Sequence, residues 1–311
     1  MSEQQYLRAC SLVVDDTRDG TIDLSSFRVV FKITAADVAT PNTAIIRVYN
    51  VAPATAAKVR AEFKRVTLKA GYGSTATEII FAGDIRQAII GRENATDSFL
   101  ELVAADGDVA YLRAFVSTTL ASGWTPDDVV KACLKAMEPY GVTAGVLPAL
   151  LAPRGIRATT LHGFARDYLT QLCETFGLTW SVALGRLYMR PVDGAGTAGV
   201  IELNGQTGLI GWPQQTIDGI LIRCLISSRI SAGTTVRVTP RSVQEMQIQT
   251  ATGFVDLRPG LNPEGDYRVW AVNYSGDTRG QEWFMDLVCT GVGQSEPLSQ
   301  AFLQLKGVYG S

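Results

Sequence analysis

The sequence predicts a mainly β protein of the α+β class, in which two β-rich regions flank a small α+β region. Three observations support this: strand-length apolar stretches in the first hundred positions, helical periodicity after residue 106, and a return to strands from residue 200. With 311 residues and 46% hydrophobic content, the chain can fill more than one core. We therefore predict three domains, at 1–105, 106–195 and 196–311, with an irregular insertion at about 240–264.

The first region is predicted to contain six strands separated by turn residues such as Asp19-Gly20 and Pro41-Asn42. A helix-forming composition that begins with proline interrupts them at Pro53–Phe63. From these residues alone, the region is a sandwich or a barrel. The predicted strands are Leu7–Val14, Phe27–Thr34, Ala44–Tyr49, Val66–Ala70, Glu78–Ile90 and Ser98–Ala104.

Two amphipathic helices define the middle region. The first follows Thr125-Pro126-Asp127-Asp128, which supplies a capping hydroxyl, a proline in the first turn and two carboxylates at the positive end of the helix dipole. The second runs from Phe164 to Phe176 and stops at Gly177. A hairpin at 178–190 should follow, with residues 193–196 as the linker out of the region.

The third region repeats short blocks of the first in the same order. Coincidence between short amphipathic strands could explain any one match, but three matches in order favour a duplicated domain. In each final block one face must be buried, and the opposite face is too apolar for free solvent. Either the chain's own helices or a neighbouring subunit should cover that face. The matched blocks are Ile45–Tyr49 with Leu221–Leu225, Val66–Leu68 with Val236–Val238, and Phe99–Ala104 with Phe284–Cys289.

Composition argues against several classes of protein. Lys plus Arg number 28 against 30 Asp plus Glu, so no global positive field exists to bind nucleic acid. No apolar run reaches the length of a membrane-spanning helix, and the polar N-terminus predicts no signal peptide. The five cysteines are scattered without a C-x-x-C pair, which predicts small buried hydrophobes in a reducing cytosol.

No motif indicates catalysis or a cofactor. The single histidine, His162, is expected at the start of the second helix with no catalytic role, and there is no G-x-S-x-G or phosphate-binding loop. The carboxylate pairs Asp106/Asp108 and Asp127/Asp128 are assigned to helix dipoles. We therefore expect no cofactor, no metal and no enzymatic activity.

Three stretches of the sequence carry a resemblance to a known family. They are Ile45–Ile85 with its Val66–Tyr72 and Ile80–Ile85 strands, Gly208–Pro213, and Gly265–Trp283. Together they resemble the baseplate hub proteins of contractile-tailed bacteriophages, which are related to the hub portion of type VI secretion spike proteins. The resemblance spans nearly the whole chain through strand and turn patterns.

This resemblance implies a homotrimer in which each subunit contributes two tail-tube-like β-barrel domains to a six-domain ring. Its partners would be the central spike protein, the tail tube or its initiator, and other baseplate proteins. DNA would pass through the channel without specific binding, and no stable membrane insertion is expected. The location implied is the tail baseplate of the virion, after synthesis in the host cytoplasm.

The candidate interface or channel residues come from the matched blocks and from the insertion. Glu101 and Asp286 are expected at equivalent positions near the channel or a subunit boundary. The alternative function is a tail-associated cell-wall hydrolase that uses carboxylate acid/base residues. A carbohydrate-binding module would need exposed aromatics such as Trp212 and Trp270, although Trp270 is expected in a core. The full set of candidates is Phe99, Glu101, Phe284, Asp286, Arg241 and Arg258.

Overall fold

The computed structural model describes residues 7–15, 20–73, 76–192, 194, 199–216, 219–239, 243 and 265–293. Strands account for 48% and helices for 17% of these residues. The mainly β, α+β class predicted from the sequence is therefore confirmed. The predicted linker at 193–196 and insertion at 240–264 lie almost entirely outside the described residues, and so do Arg241 and Arg258.

The first β-rich region follows the predicted element order closely. Its strands alternate buried apolar and outward-facing side chains, as in Thr43–Tyr49, where Ala44, Ile46 and Val48 are fully buried. The predicted helix is present, with proline in its first turn. The elements are β1 (Arg8–Asp15), β2 (Thr21–Asp23), β3 (Val29–Ala36), β4 (Thr43–Tyr49), α1 (Pro53–Glu62), β5 (Arg65–Tyr72), β6 (Ala76–Arg92) and β7 (Ser98–Ala105).

The middle region has its own hydrophobic core, built around the two predicted helices and the hairpin. Thr125 and Asp128 form a reciprocal capping box at the start of the first helix. The elements are α2 (Asp108–Arg113), β8 (Phe115–Leu120), α3 (Pro126–Met137), a 3₁₀ turn (Glu138–Tyr140), β9 (Thr143–Ala144), β10 (Thr159–Phe164), α4 (Ala165–Phe176), β11 (Leu178–Ala183) and β12 (Arg186–Pro191).

Two expectations for this region were wrong. His162 lies in strand β10, opposite Ser117 of β8, and not at a helix start. Leu161 of the same strand is buried in the core of the middle region, and the His162 N–H donates to the Tyr168 hydroxyl at 2.8 Å. Asp106 also has no helix-dipole role, since α2 begins two residues later and the Asp106 carboxylate accepts backbone N–H groups of Leu184 and Gly185.

The third region returns to β structure. Its strands are β13 (Ile201–Glu202), β14 (Gln214–Thr216), β15 (Gly219–Leu225), β16 (Thr235–Arg237), β17 (Asp266–Asp277) and β18 (Trp283–Gly291). Gly219 opens β15 with φ +120°, and a Cβ there would lie 2.1 Å from the carbonyl oxygen of Cys289. Only glycine allows β15 to approach β18 this closely at its first residue.

The two β-rich regions join into one sheet, which the sequence did not predict. Strand β17 pairs antiparallel with β3, from Ala271 opposite Ala36 to Asp277 opposite Val30. The result is a 13-stranded sheet in which the described strands follow an open path. One hydrophobic core contains buried residues of both regions, because the apolar faces of all these strands pack together.

Candidate functional site

The two β-rich regions share the same order of neighbouring strands. In the first, the order is β3-β4-β7-β6-β5-β1, and in the third it is β14-β15-β18-β17-β16-β13. Each neighbouring pair is antiparallel in both regions, except that β13 runs parallel to β16. The helix α1 lies between β4 and β5, whereas a loop fills the corresponding place between β15 and β16.

The pairing registers also match, residue by residue. Arg47 stands opposite Glu101 in β4 and β7, and Arg223 stands opposite Asp286 in β15 and β18. With these pairs aligned, the β-bulge after Ile85 in β6 falls at the same position as the bulge after Val269 in β17. Matching bulges at matching positions support the duplication predicted from the sequence.

In the first region Arg47, Glu101 and Phe99 form a compact cluster. The Nη2 atom of Arg47 donates to Oε2 of Glu101 at 2.7 Å, and Nε donates to the same oxygen at 3.0 Å. The guanidinium carbon lies 4.3 Å from the centre of the Phe99 ring. The guanidinium is thus held by a charge-assisted hydrogen bond and a cation–π contact together.

The third region repeats this cluster with one shorter acid. The Nε and Nη2 atoms of Arg223 donate to the two carboxylate oxygens of Asp286, at 2.7 and 2.9 Å. Its guanidinium carbon lies 4.2 Å from the centre of the Phe284 ring. The two clusters, Arg47–Glu101–Phe99 and Arg223–Asp286–Phe284, are hereafter called the paired triads.

Each triad lies on the sheet face opposite the core. The neighbouring inward residues are fully buried, whereas the side chains of Arg47 and Arg223 are 35% and 49% exposed. Ile45, beside Arg47 on the same face, is 48% exposed. The guanidinium groups therefore cover part of each aromatic ring. The sequence predicts either the chain's own helices or a neighbouring subunit on this face, and it does not indicate these arginines.

Pairing makes each triad locally neutral. The hydrogen bond that Arg47 donates to Glu101 raises the pKa of Arg47 above its ordinary value, and the hydrogen bond that Arg223 donates to Asp286 does the same for Arg223. Both arginines are therefore charged at every physiological pH and compensate the two acids. The surface that carries the triads is polar without a single-sign field.

A buried ionic cluster connects all three regions. Asp37, which follows β3, is fully buried and accepts hydrogen bonds from Arg190 of β12 at 2.7 Å and from Arg268 of β17 at 2.8 Å. Ser181 of β11 donates to the same carboxylate at 2.8 Å. The first, middle and third regions therefore meet at one carboxylate, and we call this set the Asp37 cluster.

Further bonds reinforce the same junction. The Asn42 side chain accepts from the backbone of Ala36 and donates to the carbonyl of Val182, and the Thr179 hydroxyl donates to the carbonyl of Asp37. The guanidinium of Arg268 also lies 4.2 Å from the Trp270 ring, which is fully buried as the sequence predicted. These contacts fix the middle region against the joined sheet.

Comparison with solved structures places this arrangement in a known fold. The chain is 13% identical to the tail protein from Neisseria meningitidis MC58, with a TM-score of 0.57 over 93% of this chain and 98% of that one. It is 9% identical to the 43 kDa tail protein of prophage MuSo2 from Shewanella oneidensis, with a TM-score of 0.56 over 91% and 99%. The chain has the fold of these phage tail proteins.

A third similar structure is the E. coli c3393 protein, at 12% identity and a TM-score of 0.54 over 93% of this chain and 77% of that one. It is described as a component of the type VI secretion system with structural similarity to the T4 bacteriophage tail proteins gp27 and gp5. No family model and no curated protein sequence matches the chain. The resemblance seen in the sequence is therefore confirmed at the level of the fold.

Among its described lining residues, the cavity between the three regions has no pair of carboxylates of the kind that a hydrolase would need. Asp106 borders this cavity of about 510 Å³, and burial raises the pKa of its carboxyl to about 7. Asp106 is the one carboxylate among the described lining residues of that cavity. Its bonds to the Leu184–Gly185 turn instead hold the β11–β12 hairpin, whose Leu184 adopts a left-handed φ of 52°.

Two other acidic residues named in the sequence analysis, Asp127 and Asp108, each have a partner in the structure. Asp127 accepts from the backbone of Leu150, and Asp108 pairs with Arg86, so both carboxylates anchor local structure. Trp212, one of the aromatic residues named for the carbohydrate-binding alternative, is 66% exposed.

Within the described residues, no cluster of metal-ligating side chains is present and no helix has the length and apolarity to span a membrane. All five cysteines are free, and burial raises the pKa of Cys133 to about 12.

Proposed function

We propose that this protein is a structural subunit of the baseplate hub of a contractile phage tail. Three copies form a ring in which the two β-rich regions of each subunit, residues 1–105 and 196–311, act as six similar tube-like barrel domains. The observation that carries this proposal is the matched strand order, register and bulge position of the two regions. The fold shared with phage tail proteins supports it.

Symmetry gives the duplication a physical purpose. A threefold assembly of a chain that contains the same sheet twice offers six nearly equivalent surfaces, so one end can accept a sixfold tail tube. The middle region, 106–195, occurs once in each subunit and so follows the threefold symmetry that a trimeric spike needs. The chain thereby adapts one symmetry to the other without catalysing a reaction.

The paired triads are proposed to line the channel or a subunit boundary. Each couples one arginine to one acid, so a wall built from them carries no positive patch that would hold DNA phosphates. The partners proposed are a central spike, the tail tube or its initiator, and other baseplate proteins. The protein would be made in the host cytoplasm and end in the tail of the virion.

Sedimentation of the purified chain tests the assembly directly. The expected mass is three times the 33.5 kDa of one chain. Replacing both acids, Glu101→Lys and Asp286→Lys, places like charges together on the triads and should shift the mass toward the monomer. Glu62→Lys on exposed helix α1 is the matched control and should leave the mass unchanged. A wild-type chain that stays monomeric at every accessible concentration would contradict the proposal.

A further inference from the structure

The cavity between the three regions has the size of a ligand site. Its volume of about 510 Å³ falls within the ~300–1,000 Å³ that small-molecule sites occupy. The first region contributes wall residues from β3 and β6, the middle region from the β11–β12 hairpin, and the third region from the segment before β16. The described residues that line it include Ala35, Ile79, Phe81, Tyr188, Arg190 and Gly233.

Arg190 brings a buried positive charge to the wall of this cavity. Its side chain is 10% exposed, and Nη1 donates to Oδ1 of Asp37 at 2.7 Å and to the Ser181 hydroxyl at 3.5 Å. The guanidinium carbon lies 4.4 Å from the centre of the Tyr188 ring. Within the described part of the chain, Nε of Arg190 is buried and has no hydrogen-bond partner. A buried N–H group of this kind costs free energy unless an acceptor reaches it.

The charges around Arg190 do not balance. Arg190 and Arg268 carry two positive charges, whereas the Asp37 carboxylate that they share carries one negative charge. Nη1 of Arg268 donates to the backbone carbonyls of Pro191 and Val192, which add no charge. All three charged side chains are at least nine-tenths buried. Among the described residues, this junction therefore holds one excess positive charge in a low-dielectric interior, where a single anion would stabilise it.

The carboxyl group of Asp106 borders the same cavity but does not supply the missing negative charge. It accepts the backbone N–H groups of Leu184 at 2.5 Å and Gly185 at 3.2 Å, so it is committed to the hairpin turn. Burial raises the pKa of Asp106 to about 7. At pH 6 the group is therefore mostly protonated, and it does not repel an anion in the cavity.

We propose that this cavity binds a small organic monocarboxylate, whose carboxylate accepts from Nε of Arg190 and whose apolar body lies against the hydrophobic wall. One carboxylate cancels the one excess positive charge, and hydrogen bonds between a guanidinium and a carboxylate are strong and directional. The aliphatic and aromatic wall favours an organic acid over a hydrated inorganic anion. The apolar wall residues include Ile79, Phe81, Val146 and Tyr274.

Gly233 brings the third region against the same guanidinium. Its φ is +85°, and a Cβ there would lie 2.7 Å from both Nε and the guanidinium carbon of Arg190. A ligand at Nε would therefore contact the middle and third regions together, and its binding should stabilise their junction. All these residues belong to one chain, so the site does not depend on the proposed assembly.

Titration with simple carboxylates tests the site. The full chain is titrated at pH 6 and constant ionic strength with hexanoate, benzoate, hexanamide and chloride, by calorimetry and by the thermal unfolding midpoint. Hexanoate or benzoate should bind one per chain and raise the midpoint, and hexanoate should bind at least tenfold more tightly than hexanamide, which has the same chain without the charge. Saturable binding of neither acid, or equal affinity for hexanoate and hexanamide, would overturn the proposal. Chloride binding as tight as that of the acids would restrict the site to inorganic anions and would also overturn it.

Arg190→Gln removes the excess charge and leaves Asp37 and Arg268 as a balanced pair. This variant should bind hexanoate at least tenfold more weakly than the unmodified chain and no better than it binds hexanamide. Its urea unfolding midpoint shows whether it is folded. Unchanged hexanoate affinity in the folded variant would contradict the role of Arg190.

A second pair of variants leaves the Asp37 cluster intact. Ile79 and Ile90 are both 40% exposed on β6, but Ile79 lines the cavity and Ile90 is not among its described lining residues. Ile79→Glu places a like charge beside the bound carboxylate and should weaken hexanoate binding at least tenfold. Ile90→Glu should leave the affinity within twofold. Equal effects from the two changes would overturn the site, whereas the proposed function is decided separately by the sedimentation mass.

Discussion

Replacing Asp37 with asparagine is expected to lower the unfolding free energy by roughly 3–5 kcal/mol, the range for a buried ion pair that loses one partner. The carboxylate is 0% exposed and receives two guanidinium groups. Within the described residues, Asp37 is the one acid that pairs with Arg190 and with Arg268. Removing the charge leaves both cations uncompensated in a low-dielectric interior.

Urea unfolding monitored by tryptophan fluorescence measures this loss. Glu62→Gln is the control, because the Glu62–Lys58 ion pair spans 3.9 Å and both side chains are more than half exposed. This substitution should change the free energy of unfolding by less than about 0.5 kcal/mol. In a double-mutant cycle, Arg268→Met combined with Asp37→Asn should cost clearly less than the sum of the single changes. An Asp37→Asn loss as small as that of the control would refute the reasoning.

Three further predictions follow from the site. Because burial raises the Asp106 pKa to about 7, the folded state holds a proton that the unfolded state releases above about pH 4. Stability should therefore fall by a few kcal/mol between about pH 4 and 7, and urea unfolding of Asp106→Asn should lack that slope. Glu101→Gln and Asp286→Asn should each cost at most about 1 kcal/mol, by similar amounts in thermal unfolding, since both triads are partly exposed. A peptidoglycan zymogram should show no clearing, and clearing abolished by Asp106→Asn would establish the hydrolase alternative.

The local elements could be predicted from the sequence because their signals are local. Alternating apolar residues gave six of the seven strands of the first region, with ends that differ from the structure by at most two positions, and missed the three-residue strand β2. The capping box at Thr125 and the glycine stop at Gly177 defined the two middle helices for the same reason. The strands β8 and β10 were also missed, since exposed Ser117, Thr118 and Thr119 on β8 and exposed Thr160 on β10 interrupt the apolar alternation.

Long-range features needed the tertiary structure. Nothing in the sequence near Asp37 indicates that its partners lie 153 and 231 positions away. The aligned blocks did contain Arg47 and Glu101, and Arg223 and Asp286, but their pairing depends on register between strands that are distant in the chain. A search for an arginine and an acid at matched positions of both repeats would have found the paired triads.

By itself, the sequence determined which segments become strands and helices, and that the β-rich part occurs twice, because periodicity and repetition are written in neighbouring residues. The tertiary structure decided that the two copies share one sheet through β17 and β3, and that one buried carboxylate connects all three regions. Such features arise from contacts between residues more than a hundred positions apart, which no local pattern encodes.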